Sequence, residues 1–333
     1  MSGEAGDSWV QRYVNLAQLR LGAAVVASTD EFFAPAQRML SPEEPVFVPG
    51  KFDDHGKWMD GWETRRRRDA GHDHCVVRLG CPGIIRGVEI DTRHFTGNYP
   101  PAASLEACHT VRDPGMDTRW TEILPALDLQ GDERRFARVG DDGVYSHVRL
   151  HIYPDGGIAR LRVYGEIRSD PDRLNDDAVL DWAALENGGR IVTCNDAHFG
   201  SPWNLLSPGR GVNMGDGWET RRRRAPGHDW VIVALGCAAC LERIEVDTAH
   251  FKGNYPDRCS LQAAYVAAGT DQALVTQSMF WPQVLAAQPL RADTQHMFAV
   301  SAAEPVTHVK LNIQPDGGVS RLRVYARAAR SAA

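Results

Sequence analysis

Two short motifs hold most of the residue types in this chain that could do chemistry, and each occurs twice. Residues 60–67 read DGWETRRR, and so do residues 216–223. Residues 91–100 read DTRHFTGNYP, and residues 247–256 read DTAHFKGNYP. His94 and His250 follow an alternating apolar segment, at the strand end where functional loops usually lie. An imidazole there can serve as general acid or base near neutral pH. Arg65, Arg67, Arg221 and Arg223 offer guanidinium forks that can grip a carboxylate or a urea-like carbonyl with two parallel hydrogen bonds. The competing reading is a strand whose arginines pair with Glu89, Asp91 and their counterparts. Glu63, Glu219, Asp60, Asp91 and Asp247 are the available carboxylates. Asn98, Tyr99, Asn254 and Tyr255 complete the set as hydrogen-bonding groups, or as turn and loop-stapling residues.

Other chemistries have weaker support. His72-Asp73-His74 resembles a metal-ligand spacing, but the second copy reads His228-Asp229-Trp230. Cys237 and Cys240 form a C-x-x-C whose counterpart begins Cys81-Pro82-Gly83-Ile84, so that pair is not shared either. The chain contains no nucleophile elbow, phosphate-binding glycine loop or dinucleotide fingerprint. No cofactor or metal is expected, although ligands from distant strands leave an essential metal open.

The elements that must position these residues are themselves duplicated. Of the 41 positions from 60 to 100, 25 are identical in the segment 216–256. HVRLHIYPDGGIARLRVYG (147–165) likewise matches HVKLNIQPDGGVSRLRVYA (308–326). A repeat of about 150 residues is a domain rather than a solenoid unit. The expected organisation is an extension over 1–13, a first repeat over 14–168, a linker over 169–179, a second repeat over 180–328 and a tail over 329–333. Val88 and Ile90 alternate with Glu89 and Asp91, and Val148, Leu150 and Ile152 alternate with Arg149, His151 and Tyr153. This period of two marks half-buried strands. Pro154-Asp155-Gly156-Gly157 and Pro315-Asp316-Gly317-Gly318 mark turns. Amphipathic helices are scarce, with candidates only at Ser8–Gln18 and Leu174–Leu185. The fold expected is all-β, a tandem pair of sandwiches, each of two antiparallel sheets.

A net charge of −6 and a pI of about 6.1 argue against nucleic-acid binding and against attraction to an anionic membrane. No apolar run approaches the roughly 18 residues of a membrane-spanning helix. Seven cysteines without a dense framework fit reduced thiols in the cytoplasm.

LGAAVVASTDEFFAP, DGWETRRRR, GHD, DTRHFTGNYP and PDGGIARLRVYG, with their second-copy partners, resemble the allantoicase (allantoate amidinohydrolase) family over roughly residues 14–328. The resemblance implies a repeated jelly roll of the galactose-binding-like kind and hydrolysis of allantoate to ureidoglycolate and urea in purine (allantoin) breakdown. On that basis an arginine, Arg65 or Arg67 with Arg221 or Arg223, anchors the substrate carboxylate. Asn98, Tyr99, Asn254 and Tyr255 bind the ureido arms, His94 and His250 move protons, and Glu63, Glu219, Asp91 and Asp247 are catalytic carboxylates. A homo-oligomer is expected. Arg93 against Ala249 and His74 against Trp230 make the halves unequal. The alternatives are a non-catalytic jelly-roll binding protein, for a sugar or other small molecule, and a hydrolase of another ureido compound such as ureidoglycolate.

Overall fold

The computed structural model describes residues 12–168, 178–267, 270–300 and 302–329. The chain divides at Arg168/Ser169 into two compact units. Most of the expected extension, linker and tail lies outside the described residues.

Each unit is a β-sandwich organised on one very long strand. In the first unit this is Asp73–Asp91, of 19 residues. Its first half pairs antiparallel with Val144–Tyr153, with Cys75 opposite Leu150 and Val77 opposite Val148, and with Ala24–Ser28 on the other side. Its second half pairs with Arg160–Ile167, with Val88 opposite Val163 and Ile90 opposite Leu161, and with Arg134–Arg138. One strand thus changes partners midway and runs through both layers. Ala102–Cys108 extends the first layer beyond Val144–Tyr153, and Thr121–Asp128 extends it further. The second unit repeats the plan around Asp229–Asp247. Alternation explains the core: Val77, Val88, Leu150, Leu161 and Val163 have no exposed surface, because successive side chains point to opposite faces.

Arg12 is helical, and beyond it the described parts of both helix candidates give way to pairing. Val14–Asn15 is a strand against Gly165 and Tyr164, and Val179–Asp181 is a strand against Arg327, Ala326 and Tyr325. Residues 8–11 and 174–177 of those candidates lie outside the described residues. A free sheet edge supplies backbone partners along the segment, and tertiary pairing outweighs a weak helical preference. An α-helix does form at Asp271–Gln277, where Thr270 Oγ1 accepts from the Ala273 N–H.

The Pro-Asp-Gly-Gly turn does more than reverse the chain. A Cβ at Gly157 would lie 2.1 Å from the Phe95 ring, and one at Gly156 within 2.9 Å of the Asn98 carbonyl. The glycines let this turn lie flat against the loop that carries His94 and Asn98.

Candidate active site

The Trp62–Glu63 segment is held on both sides. The backbone groups of Glu63 exchange hydrogen bonds with Ala34 at 3.1 and 3.2 Å, and Glu63 lies opposite Gly157. Trp62 is fully buried and its indole N–H donates to the Asp30 carbonyl at 2.8 Å. With Trp62 and Thr64 facing the interior, alternation turns Glu63 the other way. There it meets the His-Phe loop: the Asn98 amide donates to Glu63 Oε1 at 2.5 Å. Asn98 is itself fixed, because its carbonyl accepts the Gly157 N–H at 2.7 Å.

His94 sits at a φ of 70°, a left-handed conformation that costs free energy in any residue but glycine. Two contacts hold it there. Its backbone N–H donates to Asp132 Oδ1 at 2.9 Å, and Nε2 lies 3.0 Å from the Pro45 carbonyl. A carbonyl only accepts, so Nε2 carries a proton, and in the neutral ring the lone pair is on Nδ1. Phe47 stacks on the ring at 6.2 Å.

These residues line a cleft of about 400 Å³ with Phe33, Lys57, Met59, Thr96 and Gly97. Lys57 comes from the small hairpin Phe52–Asp53/Gly56–Lys57, and its ammonium lies 4.5 Å from the Phe47 ring centre. Burial raises the Glu63 pKa; the Asn98 hydrogen bond and the Lys57 charge oppose that rise without cancelling it.

The structure brings together Glu63, His94 and Asn98 of the residues expected from sequence, and places the others elsewhere. Arg65 binds Asp30 through Nε and NH2 at 2.9 and 2.7 Å, with its side chain 64% exposed. Arg67 binds Asp73 at 2.6 Å and Asp69 at 3.2 Å. Arg221 and Arg223 bind Asp196 and Asp229 in the same manner. The anticipated pairing with Glu89 and Asp91 is therefore replaced: Glu89 takes Arg134 and the Tyr164 hydroxyl, and Asp91 takes Arg93. Asp247 has alanine at the position of Arg93 and takes Arg210 from a different loop. Asp60 receives Arg160, and Tyr99 packs on Met59, Phe95 and Ala159. Arg65→Lys is expected to lower the melting temperature slightly, because a bidentate fork is lost, and to leave kcat and KM in place. Steady-state kinetics beside a thermal melt checks both.

Lys57 carries no repeat signal, because Asn213 stands opposite it. The alignment offset falls from 166 residues at Phe33/Phe199 to 156 at Trp62/Trp218, so the first copy has ten extra residues here. That insertion is the trace a sequence reading could have used. In the second unit Asn213 caps the turn Met214–Asp216 instead. Glu219 and Asn254 keep their hydrogen bond, His250 keeps a φ of 70°, and its Nε2 lies 2.8 Å from the Gly211 carbonyl. Tyr255 is half-buried. Among the described residues the one three-donor group that could hold a metal is His72, His74 and His151, and none of them lines the cleft.

A sequence profile described as the allantoicase repeat matches residues 14–168 and again 180–329. The chain belongs to the allantoicase family. A probable allantoicase of Burkholderia mallei is 59% identical over 328 residues, 98% of this chain and 97% of its own. One of Pseudomonas aeruginosa is 57% identical over 318 residues, 95% of this chain and 96% of its own. A solved allantoicase structure superposes with a TM-score of 0.81 at 34% identity, covering 98% of this chain and 99% of that one. The Saccharomyces cerevisiae allantoicase gives 0.80 at 34% identity, covering 98% of each. The duplicated jelly-roll sandwich expected from the motifs is thus an allantoicase architecture throughout.

Proposed function

We propose that the chain is an allantoicase in activity as well as family, hydrolysing allantoate to ureidoglycolate and urea in purine degradation. The observation that carries this is similarity to allantoicases over nearly the whole chain. The first-repeat cleft supplies groups suited to the reaction. Allantoate has a central carbon bearing a carboxylate, a hydrogen and two ureido arms. Hydrolysis breaks one C–N bond, forms a C–O bond to water, and moves a proton from water to the departing nitrogen.

Lys57 is the cation in the cleft and anchors the substrate carboxylate, the role expected of Arg65 or Arg67. Asn98, aligned by Glu63, binds a ureido arm. Nδ1 of His94 takes the proton from water and returns one to the leaving nitrogen, so one group serves both transfers. The Glu63 carboxylate stabilises positive charge at the central carbon as urea departs. Asp91, Asp60, Arg65 and Arg67 hold the loops around these groups, and Asp247, Arg221 and Arg223 do the same within the second repeat. The second repeat keeps Glu219, His250 and Asn254 but has no counterpart of Lys57, so turnover belongs to the first.

The deciding assay is purified protein with allantoate, measuring urea together with ureidoglycolate or its breakdown product glyoxylate. A folded chain that releases no urea would refute the reading, and release from ureidoglycolate alone would favour the other ureido hydrolase. Lys57→Met is expected to raise KM by roughly 10–10²-fold, the worth of one charge-assisted hydrogen bond.

We place the enzyme in the cytoplasm as a homo-oligomer. Cys75, Cys108, Cys194, Cys237, Cys240 and Cys259 are free thiols, and no helix among the described residues is long and apolar enough to cross a membrane. Val111, Met116, Met279 and Phe280 expose apolar side chains in corresponding loops of the two repeats, which supports self-association. Sedimentation velocity measures it.

A further inference from the structure

On the first sandwich, three histidines converge on the sheet face that points away from the core. His74 and His151 lie directly opposite each other on neighbouring strands, and Ser104 lies opposite His151 on the next. His72, just before the long strand, reaches the same place. The donor nitrogens of the three all lie within 4.8 Å of one another. His151 Nε2 is 2.8 Å from Glu106 Oε2, and Glu106 also accepts from Arg149 Nε at 2.8 Å. A carboxylate accepts, so Nε2 of His151 carries its proton and Nδ1 offers a lone pair. His72 Nε2 donates to that Nδ1 at 2.8 Å. The Tyr153 ring packs on His72 at 4.5 Å, with its hydroxyl 2.8 Å from Ser104 Oγ.

A histidine whose second nitrogen is held by a carboxylate is the usual setting of a metal-bound imidazole, because the carboxylate fixes the tautomer and orients the ring. The second repeat lacks the set. Trp230, Asn312 and Gln262 replace His74, His151 and Glu106. His228 there lies 3.1 Å from the Asn312 amide oxygen, and the Lys310 ammonium covers Trp230 at 4.9 Å. The same sheet position therefore carries a donor cluster in one copy and a non-ligating substitute in the other.

We propose that His72, His74 and His151 form a binding site for a borderline divalent transition-metal ion, Zn²⁺ foremost, with Glu106 orienting His151. Three imidazoles favour Zn²⁺, Co²⁺ or Ni²⁺ over Mg²⁺ and Ca²⁺, which take oxygen ligands. The ion takes the place of the proton shared between His72 and His151, and that proton is released to water. Zn–N bonds of about 2 Å put tetrahedral ligands about 3.3 Å apart, so the His72–His151 pair, now 2.8 Å apart, widens slightly, and the third imidazole starts within 4.8 Å of both. Water completes the coordination. The proposal stands independently of the reaction assigned to the cleft.

The test uses the full chain without a polyhistidine tag, stripped by a chelator that is then removed. Titration with ZnCl₂ against a chromophoric competitor is expected to show one equivalent bound per chain, in the micromolar range or tighter. Co²⁺ should give the visible bands of a four-coordinate site without the near-ultraviolet band of thiolate ligation. His151→Asn and His74→Trp, each installing the second repeat's own residue, should abolish uptake with far-ultraviolet circular dichroism unchanged. His74→Gln serves where the tryptophan disturbs the fold. Cys240→Ser should keep uptake. No saturable binding below about 100 µM, binding that survives the histidine variants, or binding lost in Cys240→Ser would each overturn the proposal.

Discussion

Glu63→Gln is expected to lower kcat for allantoate by about 10²–10⁴, and His94→Ala by a similar factor, the usual contribution of a placed acid–base or charge-stabilising group. Glutamine keeps the size of Glu63 and can still meet Asn98, but brings no charge to the carbon that loses urea. The internal control is the other repeat: Glu219→Gln and His250→Ala should leave most of the activity. Comparable losses from both pairs would show that the second repeat takes part in turnover, and the assignment to the first would fail. Acidification supplies a second reading. Burial holds the Glu63 pKa above its ordinary value, so its carboxylate is lost at a higher pH than an exposed one, and the rate falls with it. Lys57 works against that rise. Lys57→Met should therefore move the acid side of the kcat/KM profile to still higher pH.

Arg160→Met is expected to destabilise the first unit by about 3–5 kcal/mol, because it strands a nearly buried carboxylate. For a domain of this size the melting temperature should fall by about 6–20 °C. The Arg160 side chain is 2% exposed and Asp60 12%, with their atoms 2.7 Å apart. The same guanidinium donates to the carbonyls of Glu43 at 2.8 Å, Asp60 at 2.9 Å and Ala159 at 2.7 Å. It ties the residues before Trp62, including the stretch that presents Pro45 to His94, onto the strand Arg160–Ile167. The double variant Asp60→Leu with Arg160→Met should recover part of the lost stability, since no unpaired carboxylate remains. It should not recover catalysis, because the tie is still missing. Thermal and urea melts of the single and double variants read the first effect, and urea release from allantoate the second. A single variant that melts within about 1 kcal/mol of the parent would show that water reaches the pair.

The sequence by itself determined the main strands and the catalogue of chemistry. Val88 and Ile90 alternating with Glu89 and Asp91 is a statement about one strand's two faces, and it holds wherever that strand lies. The turn glycines and the strand-end setting of His94 and Asn98 are equally local, since a few adjacent residues decide each, and the duplication is read by comparing the chain with itself. The family followed from those motifs taken together. Which charged groups face the cleft was decided only by the tertiary structure. Arg65 finds Asp30 from 35 residues away, Asp91 and Asp247 find different arginines in the two copies, and Lys57 arrives beside an insertion, with asparagine opposite it in the other copy. Ion pairs form between groups within about 4 Å, and separation along the chain says little about that distance. The same holds for His72, His74 and His151, which become neighbours only when Asp73–Asp91 pairs with Val144–Tyr153. The edge segments Val14–Asn15 and Val179–Asp181 took their strand form from the partners they met, since backbone hydrogen bonds across a sheet outweigh a preference of a few tenths of a kcal/mol per residue for helix.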